Sequence, residues 1–450
     1  MMSITKNKKK LLVLNINEIN FKYLKKGAKK FKCENINFFF KKKKKIKTLS
    51  EDKIQDKNLD PWVQSVSISL GKSSKHHNIL KSGQTISEAE NQIWDILASK
   101  RISCSVWGPM NSLYKPNKNL KLYFPDPWNH KAIVHPKNLN YLLNLAKYYG
   151  SNYTDFYNFK FVQKLLSTFK RLFFSKILIY FFLNFSFFVK IFFYHRLKNY
   201  ILFFIFDLIS FLKFESLIKK NNSKFCMIFL NSFAHFQHNN WNDKNDKIFF
   251  LFAEKIFERI NYQASLHDDT ILFNSFTQKK IRTEYSLRPQ NPYLFLKFLG
   301  LKIINLDQNM TNGGILTFKK KDHLLRAYKI LSDFKFLEFK FFYVEQLSQN
   351  KLFYKIILRA KVEKKLIKLK NLSKKEILKF FKNNTKINKN NFKDKTYHIE
   401  QKFWDEMIFI KTTGIHTPKG ELFYTSNNIK IKEKHILNHN IFKILKNYFF

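Results

Sequence analysis

The sequence predicts an α/β protein, a mostly parallel sheet sandwiched by helices, with an inserted helical cap. Three observations predict it. Short apolar runs at Leu11–Leu14, Ile102–Trp107, Phe225–Leu230 and Thr270–Phe273 have the length and continuity of strands buried on both faces. Between them lie stretches of helical spacing, Gln92–Leu97 and 249–262, so strand and helix alternate. Residues 161–220 then change character: Phe, Leu and Ile are interrupted every few positions by Lys, Arg or His, which fits amphipathic or core helices.

The elements follow in order. Leu11–Leu14 ends at Asn15, Asn17 and Glu18, a strand running into a polar loop, where open α/β sheets gather ligands and catalytic groups. The lysine run Lys41–Lys47 is low in complexity and reads as a solvated loop. Gln92–Leu97 with Ile102–Trp107 makes a βαβ unit, and Pro125-Asp-Pro-Trp128 must leave regular structure because proline removes a donor and fixes φ. Within the helical stretch, Ile177–Val189 gives 13 uncharged residues between Lys176 and Lys190. A bilayer needs roughly 20, so a buried or interfacial helix is expected. Asn383–Lys395 is Lys/Asn-rich and aperiodic, a linker or loop. The expected organisation is a core begun over 11–160, a helical cap over 161–220, the core continued over 221–345, and a C-terminal part over 346–450.

Bulk composition narrows the function classes. The net charge of +49 would ordinarily suggest nucleic acid or an anionic membrane. Here Lys, Asn, Ile and Phe (52 Phe) are abundant together while Gly and Pro are scarce (10 and 9), the signature of a codon bias acting on the whole chain. That disfavours nucleic acid as the partner. Cys33, Cys104 and Cys226 are few, scattered and odd in number, which argues against a disulfide framework and for a reducing compartment, the cytoplasm. Leu11–Leu14 is too short and too quickly followed by polar residues for a signal-peptide core.

Two histidine segments are the chemically informative ones: Asn231-Ser-Phe-Ala-His235-Phe-Gln-His238 and Thr413-Gly-Ile-His416-Thr-Pro-Lys-Gly420. Neutral imidazole is the commonest ligand for a divalent metal, although a histidine in an aromatic-rich segment more often packs and hydrogen-bonds. His235 and His238, three apart, share a face if helical, so His235 is a weaker ligand, a supporting residue or a packed one. Glu18 is a carboxylate ligand or a helix-start residue satisfying free N–H groups. Asn17 is its weaker neighbour. Ser65 and Ser67 are weak nucleophile candidates whose spacing suits a strand or a helix without any reactivity. Asp268 and Asp269 are expected to cap a turn.

Taken together these parts resemble the alkaline phosphatase superfamily, specifically its type I phosphodiesterase/nucleotide pyrophosphatase branch and a divergent bacterial subgroup with an Asn-Glu pair after strand one and an AHxQH element. Leu59-Asp-Pro-Trp62 through Gly71 resembles the nucleophile-bearing segment, and His77-Asn-Ile79 the His-Gly-Ile element after it. His238 matches the histidine ending the family's Asp-x-x-x-His motif, and His416 the histidine of its Gly-x-His-x-x-x-Gly turn. Other family positions differ. Ala234 replaces the aspartate of the first motif, Asn274-Ser-Phe-Thr277 replaces Ser-Asp-His-Gly, and Asp60 or Pro61 stands at the nucleophile.

The resemblance implies an alkaline-phosphatase-like core and a hydrolase of phosphate or similar esters. Its metal site is reduced to at most one Zn or Mn ion, held by Glu18, His238 and His416. The alternative is a pseudoenzyme that binds a phosphorylated sugar, nucleotide or surface-polymer precursor without turnover. A third reading is a protein that binds polyanions or a membrane surface, with peripheral contact through the helical cap.

Overall fold

The computed structural model describes residues 9–41, 43–52, 59–129, 133–151, 159–172, 176–195, 199–241, 246–308, 313–336, 339–357, 407–425 and 427–450. The chain opens with β1 (Leu11–Ile16), α1 (Phe21–Lys30), α2 (Glu34–Lys41), β2 (Lys44–Leu49), α3 (Pro61–Leu70) and α4 (Ser74–His77). Next come α5 (Ile93–Ser99), β3 (Cys104–Trp107), β4 (Leu120–Phe124), α6 (Asn140–Ser151) and α7 (Phe159–Leu172). Three more helices, α8 (Lys176–Leu183), α9 (Phe185–His195) and α10 (Asn199–Asn221), lead to β5 (Phe225–Leu230). Helices α11 (Ser232–Asn240) and α12 (Asp246–Ser265) precede β6 (Asp269–Phe273) and β7 (Thr277–Pro289). The remaining elements up to the last crossover are α13 (Pro292–Phe298), β8 (Asn305–Gln308), β9 (Gly313–Thr317), α14 (Lys321–Asp333), β10 (Lys335–Phe336), β11 (Phe339–Lys340), β12 (Phe342–Gln346) and β13 (Lys351–Ile356). The chain closes with β14 (Met407–Thr417), β15 (Lys419–Tyr424), β16 (His435–Leu437) and α15 (Ile441–Phe449).

Two compact units form. The first comprises Met1–Leu145, Gln163–Ile281 and Thr413–Phe450. Its sheet runs β16-β2-β15-β6-β1-β5-β3-β4. Strand β1 pairs in parallel with both β5 and β6, β3 in parallel with β5 and β4, and β2 in parallel with β16. Only β15 runs against its neighbours, β6 and β2. The four apolar runs of the sequence are therefore neighbours in one mostly parallel sheet, as the α/β prediction requires.

Its two faces follow from the period of two along each strand. On β1, Leu12, Leu14 and Ile16 point into one cluster with Phe204, Phe211, Phe249 and Phe257, while Leu11 and Val13 point into another with Trp94, Leu97, Ile441 and Leu445. Both faces are dry, which is why β1 reads as a continuous rather than an alternating apolar run. The expected helical segment is α7 to α10, and its last helix buries Phe204, Phe211 and Phe214 in the first of these clusters.

The second unit, Ala146–Val162 with Arg282–Thr412, has its own core: Phe295, Leu316, Leu324, Leu331 and Phe342 pack among α13, α14 and the antiparallel sheet β12-β13-β9-β8.

Three expectations need correction. The lysine run is not a loop. Lys44–Leu49 is a sheet strand whose Ile46 and Thr48 are buried while Lys45 and Lys47 face out, because pairing to β15 and β16 supplies hydrogen bonds that composition does not reveal. Glu18 does not start a helix: Asn20 caps α1, accepting from the Tyr23 N–H, and Glu18 is left to other partners. Asp269 is buried at the start of β6, where it accepts from Thr425 Oγ1, Asn428 Nδ2 and the Tyr448 hydroxyl. Asn383–Lys395 lies outside the described residues.

Candidate metal centre

Three adjacent parallel strands, β5, β1 and β6, end at the same edge of the sheet, and the segments leaving them converge there. After β1 come Asn17 and Glu18, after β5 comes α11 with His235 and His238, and after β6 come Asn274 to Gln278. The returning strand β14 brings His416.

Glu18, His238 and His416 meet. The His238 Nε2 lies 2.7 Å and the His416 Nε2 3.0 Å from the same Glu18 oxygen, Oε2, and the two imidazole nitrogens are 3.2 Å apart. These donor atoms all fall within 4.8 Å of one another, and among the described residues this is the one group of three or more His, Cys, Asp or Glu side chains placed to hold a metal ion.

The surroundings hold the carboxylate rigidly. Glu18 is buried and adopts φ +55°, a left-handed conformation that costs a residue with a Cβ about 1–2 kcal/mol. Its carbonyl accepts from the Gln278 N–H at 3.1 Å and from Gln237 Nε2 at 3.0 Å, which fixes that backbone. Gln278 Nε2 donates to Oε2 at 2.6 Å and Asn17 Nδ2 to Oε1 at 3.1 Å. Burial alone would raise the Glu18 pKa, but the charges of His416 and His238 and their hydrogen bonds outweigh it and hold the carboxyl well below its usual range. For His416 burial pulls downward, whereas the Glu18 charge and hydrogen bond, with help from Asp60 and the Leu59 carbonyl, raise it to about 9.

His416 is aimed by its other nitrogen. Its Nδ1 donates to the Leu59 carbonyl at 2.7 Å, which leaves Nε2 as the ligand atom facing Glu18. Two residues earlier, Gly414 lets β14 lie directly on α11. A Cβ there would stand 2.4 Å from Gln278 Oε1 and 2.7 Å from the Gln237 carbonyl. Thr413 completes the junction, donating to the Gln237 carbonyl at 2.8 Å and accepting from the Trp241 N–H at 3.0 Å. Gly420 is equally pressed, since a Cβ would meet Thr48 Oγ1 at 2.4 Å. Both glycines of the Gly-x-His-x-x-x-Gly element thus have a packing reason.

The weaker candidates sit around this centre. Asn17 reaches it through Glu18, and also donates to Asn231 Oδ1 at 2.7 Å. His235 pairs its Nε2 with Asn231 Nδ2 at 3.2 Å and stacks on Phe203 at 3.6 Å, and it is linked to the trio through the chain Asn231, Asn17, Glu18. Ser65 and Ser67 are buried inside α3. Ser65 Oγ accepts from the Met110 N–H at 3.1 Å. Ser67 Oγ lies 3.0 Å from His77 Nε2, a geometry that suggests a nucleophile and base until the protons are counted. His77 Nδ1 accepts from the Ile79 N–H, and burial pulls the imidazole down to about 4, so the neutral ring carries its proton on Nε2 and donates to Ser67, which donates onward to the Val63 carbonyl. The imidazole does not take the serine proton.

At the positions where the family would place further ligands, the residues are committed elsewhere. Ser275 is buried and its carbonyl accepts from Asn438 Nδ2 at 2.7 Å, and the Phe276 ring packs edge-on against His416 at 4.8 Å. Sequence reasoning missed Gln237, Gln278 and Asp207. Gln237 stood inside the AHxQH element and was legible there. Gln278 and Asp207, whose carboxylate accepts from the Asn231 and Ser232 N–H groups at 2.9 and 2.7 Å and so anchors the start of α11, have no local sequence signal.

No family model and no curated protein sequence matches the chain. Among solved structures it is similar to an alkaline phosphatase from an Antarctic bacterium, at 11% identity over 98% of this chain and 97% of the other, with a TM-score of 0.38. It is also similar to the alkaline phosphatase PafA (9%, 98% and 96%, 0.42) and to the murine ectonucleotide pyrophosphatase/phosphodiesterase 5 (7%, 98% and 94%, 0.39). At these identities and TM-scores the chemistry of the site rests on the chain's own geometry. The family that the chain resembles, by the order of its motifs, is the alkaline phosphatase superfamily.

Proposed function

We propose that this protein is a metal-dependent hydrolase of phosphate or similar esters that works with a single divalent ion, Zn or Mn, held by Glu18, His238 and His416. The observation that carries the reading is the convergence of two imidazole Nε2 atoms on one buried carboxylate oxygen, with pairwise separations of 2.7, 3.0 and 3.2 Å. The donor set fits. Tetrahedral zinc with bonds of about 2.0–2.1 Å has ligand atoms about 3.3 Å apart, so the three pairs need open by about 0.1 to 0.6 Å. One oxygen with two lone pairs faces three nitrogens, Gln278 Nε2 included, and an ion in place of the imidazole protons relieves that crowding.

A bound ion there supplies positive charge for a phosphoryl oxygen and a Lewis acid for acidifying water. The protein's own groups do the rest. Asn17 and Gln278 hold the carboxylate, the Leu59 carbonyl keeps the His416 proton on Nδ1, and Asp207 fixes the helix that carries His238. No serine or threonine stands at the start of α3, where Asp60 and Pro61 are found, so water is the nucleophile that this reading requires.

Metal content of the purified protein and of His238→Ala and His416→Ala, with hydrolysis of a generic phosphodiester in added Zn²⁺ or Mn²⁺, tests it. About one ion per chain, lost together with turnover in both variants, is the expected result. One observation favours a second reading: with Ala234, Ser275 and Phe276 at ligand positions of the family's motifs, the sequence lacks the donors that the family gives a second ion. Metal without turnover would establish a pseudoenzyme that binds a phosphorylated sugar, nucleotide or polymer precursor. Neither metal nor turnover in a folded sample would remove the proposal.

A further inference from the structure

Helices α8 and α9, joined by the single residue Asn184, form a bent helical segment with two unlike sides. Its inner side is packed: Ile177 is buried against Leu208 and Leu212 of α10, with Tyr180, Phe181 and Phe188 alongside, and Phe181 stacks on Phe188 at 4.5 Å. Its outer side and tip are large, apolar and open to solvent. Phe182 is 78% exposed, Leu183 76%, Phe185 65% and Ile179 60%. On α8 the residues Ile179, Phe182 and Leu183 fall at i, i+3 and i+4, one stripe, and Phe185 continues it just past the bend. Exposed aromatic and aliphatic side chains in one cluster mark a surface that meets a partner.

Charge identifies the partner. Between residues 156 and 206 there are eight Lys and Arg and no Asp or Glu. Lys170 and Arg171 stand exposed in the last turn of α7, and exposed Lys190 closes the uncharged run on α9. A second copy on this face would set like charges against each other across a two-fold axis. An anionic lipid surface satisfies both features at once, taking the apolar tip into its acyl boundary and the basic flank against its headgroups. The dimensions agree: α8, eight residues and about 12 Å long, is well short of the roughly 30 Å hydrocarbon core. No helix among the described residues is long and apolar enough to cross a membrane.

We propose that the bent α8–α9 segment docks this protein on the surface of an anionic bilayer, inserting Phe182, Leu183 and Phe185 into one leaflet without spanning it. The inference is independent of the metal centre. Co-sedimentation of the full chain with vesicles of phosphatidylcholine alone, and of phosphatidylcholine with one quarter phosphatidylserine, tests it. Binding is expected on the acidic vesicles and falls as salt rises. Both the triple variant Phe182→Ser, Leu183→Ser, Phe185→Ser and the variant Lys170→Glu, Arg171→Glu, Lys190→Glu should lose at least about tenfold in partitioning, with circular dichroism unchanged because the altered positions are exposed. A Phe182→Trp variant gives a second readout that leaves the surface apolar, its fluorescence shifting to the blue when acidic vesicles are added. Equal binding to both vesicle types, undiminished binding by the triple variant, or no shift of the tryptophan would overturn the proposal. So would a wild-type dimer in sedimentation velocity that the triple variant dissolves, without vesicle binding by either.

Discussion

Replacing Glu18 by Gln changes one charge in a buried site of nearly fixed shape. The carboxylate accepts from Asn17 Nδ2, Gln278 Nε2 and the histidines, so an amide of the same size must turn an N–H toward a donor on one side or the other. The larger effect is electrostatic. His416 is held at about 9 against the pull of burial, and the first of the groups that raise it is Glu18. Without that charge the largest upward influence is gone, only Asp60 and the Leu59 carbonyl oppose burial, and the imidazole falls from about 9 toward its ordinary 6.5, a change that corresponds to roughly 3 kcal/mol of carboxylate–imidazolium interaction. The sign of the linkage follows. A raised histidine stabilises the metal-free fold fully below pH 6.5 and loses that contribution as pH rises through about 9, while the lowered Glu18 contributes above its unfolded value near 4.5 and loses it on acidification. The metal-free wild type should therefore become less stable between pH 6.5 and 9, and Glu18→Gln should show little change over that window. Imidazole NMR titration in chelator, with denaturant unfolding at the two pH values, measures both. A His416 that still titrates near 9 in the variant would show that the carboxylate is not what raises it.

Other perturbations separate positioning from chemistry. Gly414→Ala drives a methyl into Gln278 Oε1 and the Gln237 carbonyl, and should cost about 1–3 kcal/mol in unfolding free energy and weaken Zn²⁺ binding measured by competition with a chelating dye. Gly300→Ala, at φ +77° with open space around it, should cost only about 1 kcal/mol and leave the metal affinity unchanged. Asp207→Ala removes the acceptor for the first N–H groups of α11 and should destabilise by about 1–3 kcal/mol, whereas Asp207→Asn, which keeps an acceptor, should stay within about 1 kcal/mol at neutral pH. Burial raises the Asp207 carboxyl to about 6 despite those donors, so stability should increase as pH falls through 6 in the wild type and not in Asp207→Asn, measured by thermal unfolding. Ser67→Ala and Ser65→Ala should retain phosphodiesterase turnover within about twofold, because the His77 imidazole donates to Ser67 instead of taking its proton; a loss beyond tenfold would restore a serine to the mechanism.

The sequence by itself determined the strands and the alternation. Leu11–Leu14, Phe225–Leu230 and Thr270–Phe273 are legible because a strand buried on both faces has no polar position, and the helical spacing between them leaves a parallel sheet as the arrangement with short, right-handed connections. It also marked His238 and His416, the latter through a motif whose two glycines are dictated by close contact. What it left open was which groups those histidines would face. Glu18 reads equally as a helix start, and only the fold shows Asn20 taking that task while Glu18 turns through a left-handed φ toward β14. Lys44–Leu49 reads as a solvated run because strand pairing is long-range and its lysines lie on the open side. Ser67 and His77 look like a reactive pair by distance alone, and the direction of one proton, set by the Ile79 N–H, makes them a structural one. A site assembled from the ends of three parallel strands and a return strand nearly 180 residues from its partner depends on contacts between positions that carry no local trace of one another. Tertiary structure alone brings those charges within range, and that range sets both pKa values and ligand geometry.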